Sequence, residues 1–144
     1  MKLFIPIFTL LLLGCTVNPA VAEDSTSDVD YPENFILWES LFDKEDERYF
    51  VYVFAYDCYY CNETKRKVVC FYNYSEYPVY FCEYVKQIPI GHNVDKTLGA
   101  NEVKDVFIRG TPSLLFINNG QIGFNVAGKA EVNEMIDFQL KNEL

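Results

Sequence analysis

The chain holds one histidine in 144 residues, His92, and that scarcity narrows the chemistry at once. A zinc site wants four nitrogen, sulfur or oxygen ligands. A lone imidazole in a loop reads instead as a solvated residue, neither ligand nor general base. Cations are scarce too: 12 Lys and Arg face 21 Asp and Glu, a formal net charge of −9. That balance repels phosphate backbones and anionic lipid surfaces, which excludes nucleic acid as a partner and a charge-bound membrane. Long apolar runs are missing as well. The one candidate, Leu3 to Leu13, is interrupted by Pro6 and Thr9 and is too short to span a bilayer comfortably. Internal repeats are absent, and tryptophan occurs once. What the chain has in quantity is Tyr (11) and Phe (12), within a sequence that is 50% hydrophobic. One domain with an aromatic-rich core follows.

The apolar run sits behind Lys2 at the extreme N-terminus, the form of an export signal. Two processing sites compete over residues 1–22. Leu12-Leu13-Gly14-Cys15 resembles a bacterial lipobox, which would leave Cys15 lipidated as the first residue of a membrane-anchored lipoprotein. Ala20-Val21-Ala22 suits ordinary signal peptidase. The lipobox is favoured, because Cys15 follows directly on the apolar core and a polar stretch follows Cys15. Either route puts the domain outside the cytoplasm, where disulfides persist. The last four residues, Lys141-Asn142-Glu143-Leu144, are one mismatch from a K-D-E-L retention address. They read as the polar end of a helix, with the endoplasmic reticulum lumen as the alternative location.

Residues 23–33 are acidic, Ser/Thr-containing and nearly free of apolar side chains, which predicts a flexible tether ahead of a domain over 34–144. Asn34 is placed to cap a short helix carrying Phe35, Leu37, Trp38, Leu41 and Phe42. A β-branched and aromatic run, Tyr49 to Tyr56, predicts a buried strand. A helix follows to about Tyr72 and is broken by Asn73 to Pro78. Val79 to Val85 reads as a second strand, residues 87–99 as an irregular loop with Pro89, Gly91 and Gly99, and residues 101–106 as a short helix. Ser113 to Ile117 and Gln121 to Val126 read as strands joined by an Asn118-Asn119-Gly120 turn, and a closing helix spans Glu131 to Lys141. The order β-α-β-α-β-β-α implies an α/β fold, a central mixed sheet with helices on both faces.

Between the first strand and its helix stands Cys58-Tyr59-Tyr60-Cys61. A cysteine at a helix N-terminus meets unpaired backbone N–H groups and the positive end of the helix dipole. Both favour the thiolate, which is the nucleophile. The spacing alone leaves structural thiols, a structural disulfide or metal binding through Cys58, Cys61 and other thiols open.

A second segment narrows the choice. Val106 to Gly120, with Thr111-Pro112 ahead of a strand and hairpin, is similar to the thioredoxin family segment in which a cis-proline faces the active site. Tyr52-Val53-Phe54-Ala55-Tyr56-Asp57-Cys58 resembles the strand leading to that site. The resemblance covers nearly everything after residue 34. It implies a thioredoxin-like fold, with Cys58 attacking, Cys61 resolving, and the Thr111 backbone and Pro112 holding a substrate strand. It also implies an enzyme that exchanges disulfides with cysteine-containing proteins and needs no organic cofactor or metal; the tether would hold it at a membrane, near a redox partner that resets it. A non-catalytic binding module that keeps the fold is the rival reading. The chain departs from thioredoxin at Asp57, Tyr59 and Tyr60, which modulate the cysteines, and at Tyr52, where the family carries a buried acid. Tyr60 resembles the tyrosine of glutaredoxins and the periplasmic disulfide isomerase, and Thr111 resembles the isomerase group. Cys70 and Cys82 either form a structural bridge or remain two buried thiols. Residues 87–99 lengthen the chain relative to thioredoxin, as a partner-binding edge or a neutral insertion.

Overall fold

The computed structural model describes residues 29–142, so the leader, Cys15, most of the tether and the last two residues lie outside the description. Four strands form one sheet in the order β2-β1-β3-β4: β1 (Arg48–Phe54), β2 (Val79–Glu83), β3 (Ser113–Asn118) and β4 (Gln121–Ala127). β1 and β2 run parallel, joined by the crossover helix α1 (Tyr59–Tyr74); the β1–β3 and β3–β4 pairs are antiparallel. The β3–β4 turn is the expected one. Asn119 and Gly120 both take positive φ, 50° and 73°, as a two-residue turn matched to strand twist requires. The closing helix α2 (Lys129–Asn142) follows Gly128, whose φ of 101° suits glycine.

β1 is buried along its length except at Arg48, since both its faces are covered. That explains a continuous apolar run where a half-exposed strand would alternate. Phe50, Tyr52 and Phe54 point to one face, with Phe81 and Leu114, and meet Cys61, Val68 and Phe71 of α1 and Val132 and Ile136 of α2. Tyr49, Val51 and Val53 point to the other, with Cys82, Leu115 and Ile117. Phe71 is fully buried and packs edge-on against Phe50, ring centroids 4.8 Å apart.

Both α-helices thus lie on one face of the sheet. The other is covered by 3₁₀ turns and extended chain: Ile36, Trp38 and Leu41 from one side, Ile88, Val106 and Ile108 from the other. The helix expected over residues 101–106 is a single 3₁₀ turn, Val103–Asp105. The expected N-terminal helix is likewise only Trp38–Ser40. Asn34 caps neither; its Nδ2 donates to the Val79 carbonyl at 2.8 Å, and Phe35 bridges to Phe81 beside β2. Sheet-edge hydrogen bonds outcompete a short helix there, because a helix of one or two turns pays a nucleation cost it cannot recover. The irregular loop also carries order: Ile90 pairs with Ile108, and Val94–Thr97 forms a 3₁₀ turn.

The domain starts earlier than residue 34. Tyr31 is 8% exposed, its ring 4.0 Å from Phe54 and under the Lys65 ammonium at 4.8 Å. One aromatic with a cation above it is enough to dock the end of the tether. No described helix is long and apolar enough to cross a membrane.

Candidate redox site

Cys58 is the N-cap of α1, extended in backbone, and its Sγ accepts a hydrogen bond from the Cys61 N–H at 3.1 Å. The cap is what a thiolate needs: an orphan donor aimed at the sulfur and the dipole behind it. Cys58 and Cys61 are joined as a disulfide, Cα atoms 5.2 Å apart, so the molecule is in its oxidised form. Access separates the two sulfurs' residues. Cys61 is fully buried against the sheet, whereas Cys58 is half-buried and opens to solvent.

Thr111-Pro112, 53 residues away in sequence, lies against them. The peptide bond between the two is cis, and the Thr111 carbonyl oxygen is 3.5 Å from Cys58 Sγ. Pro112 is buried and Thr111 half-buried. Polar ties fix this loop from several sides. The Gly128 N–H donates to the Pro112 carbonyl at 2.8 Å. Ser113 Oγ donates to the Gly110 carbonyl at 2.5 Å, and the buried Asn125 donates to the Phe107 carbonyl at 2.9 Å. Arg109 Nη2 reaches the Ala127 carbonyl at 2.6 Å and Glu131 at 3.1 Å, tying the loop to the start of α2. The Glu131 carboxyl is held below its usual pKa by its own backbone N–H and then by Arg109. Sequence reading missed Arg109, Asn125 and Glu131. Their partners lie 18 or 22 residues away, beyond any local pattern.

Around the cysteines the rim is aromatic. Tyr56, Tyr59 and Tyr60 are 60%, 70% and 56% exposed, and Asp57 is exposed beside them. Beneath, Tyr52 is fully buried on the α1 side of β1, in the same cluster as Cys61. Burial, and then the neighbouring Tyr31, push the Tyr52 hydroxyl's pKa far upward. Tyr31 is itself raised to about 12, by burial first. The two hydroxyls perturb one another, yet neither meets hydrogen-bond geometry with a described partner. Tyr52 is therefore neutral at any physiological pH and cannot serve Cys61 as a base.

The remaining candidates do not join the site. Cys82 is a free, buried thiol, so the bridge to Cys70 is not formed; nor are the two a pair of buried thiols, since Cys70 is half-buried and disulfide-bonded. Strand alternation gives the reason: Phe81 points toward α1, and Cys82, paired with Val53, points to the opposite face from the helix that carries Cys70. His92 is exposed in its loop. Among the described residues no three His, Cys, Asp or Glu side chains converge as a metal-ligating group.

No protein-family model and no curated protein matches the chain. Solved structures do. The chain is similar to Chlamydomonas reinhardtii thioredoxin f2 at 9% identity and a TM-score of 0.51, over 76% of this chain and 94% of that one. It is also similar to Schistosoma mansoni thioredoxin, at 17% identity and 0.46 over 73% and 94%. Plasmodium falciparum thioredoxin aligns at 13% and 0.46 over 73% and 97%. The first of these likenesses establishes a thioredoxin-like fold, and within that fold this chain places a C-x-x-C pair at the head of α1.

Proposed function

We propose that the chain is an exported thiol–disulfide oxidoreductase acting on cysteine-containing proteins. The observation that carries this reading is one juxtaposition: a C-x-x-C disulfide capping a helix, its accessible sulfur 3.5 Å from the Thr111 carbonyl of a cis Thr-Pro bond. A structural disulfide needs neither an exposed sulfur nor a backbone edge beside it.

From the oxidised form, a substrate thiolate attacks Cys58 Sγ, the Cys58–Cys61 bond breaks, and Cys61 leaves as a thiolate that takes a proton. A second substrate thiolate attacks its own sulfur in the mixed disulfide and expels Cys58. The substrate loses two electrons and gains a disulfide; the enzyme gains both as a dithiol. Run backward, the same steps reduce a substrate disulfide. Cys58 is the sulfur attacked or attacking, because Cys61 is sealed by the sheet. Thr111 and Pro112 border the sulfur and align the substrate backbone. The electron carrier is the cysteine pair itself, so no organic cofactor or metal enters. The Asp57 carboxylate stands beside Cys58 and opposes the helix dipole there, while Tyr52, uncharged, offers Cys61 no base.

The leader and Cys15 fit a lipid anchor outside the cytoplasm, with a membrane redox partner resetting the pair. Insulin reduction by the dithiothreitol-recycled protein tests the activity. Turnover is expected from wild type, and Cys58→Ser should fall to the uncatalysed rate. Equal rates for the two would overturn the reading.

A further inference from the structure

A strip of mostly apolar surface leads away from the cysteines along α2. We infer that it seats the stretch of substrate polypeptide flanking the reactive cysteine, and that this stretch carries uncharged apolar side chains; this rests on the redox reading above. Three observations converge. First, two grooves, of about 380 and about 500 Å³, share walls at Ala130 and Asn133 and so form one track. The track starts at Tyr60, which stands between the two cysteines, and ends at Phe138 and Lys141. At its start Gly128 also holds the Pro112 carbonyl, so the track is continuous with the loop that borders Cys58. Positions 130, 134, 137, 138 and 141 recur at helical spacing, which puts them on one face of α2. From Ala130 to Phe138 the helix rises about 12 Å, a span that about four extended residues cover. Residues just beside a cysteine held at Cys58 therefore reach it.

Second, the track carries a large exposed ring at each end: Tyr60 is 56% exposed and Phe138 59%. A single ring on a surface is ordinary, but two joined by a mostly apolar groove make a patch of the kind a partner covers. Third, the charges along the track cancel. Lys129 lies 2.8 Å from Glu63 and Asp137 2.7 Å from Lys67, while Glu134 and Lys141 have opposite signs. The first turn of α2 is answered by the Glu131 carboxylate, held by its own backbone N–H. On a chain of formal charge −9 this strip is locally balanced and selects neither cation nor anion. Uncharged apolar side chains match it, as they match the core of a protein interface.

Two dithiol peptides, identical except for leucine or serine at two positions on each side of the cysteine pair, test the inference against the oxidised full chain. Reduction of the Cys58–Cys61 bond is followed by acid quench and alkylation. Each peptide is also reacted with hydroxyethyl disulfide, which corrects for its own thiol reactivity. After correction, the leucine peptide should react about tenfold faster below saturation. That advantage should persist at about 0.5 M salt, because screening weakens charge pairs and leaves apolar burial in place. Phe138→Ser and Ala130→Glu should each cut it several-fold, yet leave reduction by dithiothreitol, which is too small to span the track, unchanged. A corrected ratio near one, or an advantage that both variants leave intact, would overturn the inference. So would variants that slow dithiothreitol and peptide equally, or a dimer in sedimentation that Phe138→Ser dissolves, which would give the strip to a second copy of the chain. A Cys58–Cys61 bond that dithiothreitol reduces and neither peptide does would overturn the redox reading, and this inference with it.

Discussion

Cys58 and Cys61 differ by three positions and by nearly all of their solvent access. That difference orders their chemistry. In Cys61→Ser the mixed disulfide formed at Cys58 has no resolving partner, so it should accumulate with a cysteine-containing substrate and show in intact mass. Cys58→Ser should form no adduct, because Cys61 is out of reach. A third thiol supplies an internal control. Burial raises Cys82 to about 12, with Glu39 and Glu83 adding to it, and the side chain is 1% exposed. In reduced native protein, alkylation should label Cys58 first and Cys82 only after denaturant is added. Fast native labelling of Cys82 would contradict its placement. At this scale the sequence marked the cysteine pair and the Thr-Pro step that the fold brings together and was silent about their supports. Cys58, Cys61, Thr111 and Pro112 stand in short local patterns. Arg109 carries no such mark, since its role depends on a carboxylate 22 residues downstream.

Elements were legible where period or turn chemistry was strong. β1, α1, the Asn119-Gly120 hairpin and α2 each fall within three residues of expectation. The failures share a cause: short segments whose state is set by what they pack against. Asn34 has the chemistry of a cap, yet Val79 offers its carbonyl, and the chain runs along the sheet edge instead. Residues 87–99 have no clean period, residues 101–106 are too short to hold the helix they suggest, and pairing with Ile108 and Ile122 decides the path of the segment. Cys70 and Cys82 could be paired on paper only while the faces of β2 were unknown. The α1–sheet interface that fixes those faces is open to test. Phe71→Ala removes a fully buried ring from Phe50 and should cost about 3–5 kcal/mol of stability, read from chemical unfolding. A loss under about 1 kcal/mol would place α1 elsewhere.

The whole molecule buries several groups that must stay neutral, and alkali should expose this. Tyr31 and Tyr49 are raised from 10.0 to about 12, mainly by burial, Tyr52 further still, and Cys82 from 9.0 to about 12. When unfolded, these groups ionise at their ordinary values; when folded they resist. Stability from them is therefore complete below about pH 9 and is lost as pH rises toward 12. The urea midpoint should fall between pH 8 and 11, and Cys82→Ala should soften the early part of the fall. A flat profile would contradict the buried placement of these side chains.

The redox pair itself is tested most directly by equilibrating the protein with glutathione buffers, then quenching with acid and alkylating. The expected result is a reversible two-electron transition at Cys58 and Cys61, read from the alkylated peptides that carry them, with a potential between about −270 and −120 mV. The less negative half of that range would mark an oxidant or isomerase, the more negative half a reductant. A potential below about −300 mV, the range of structural disulfides, would contradict a redox-active Cys58–Cys61 pair.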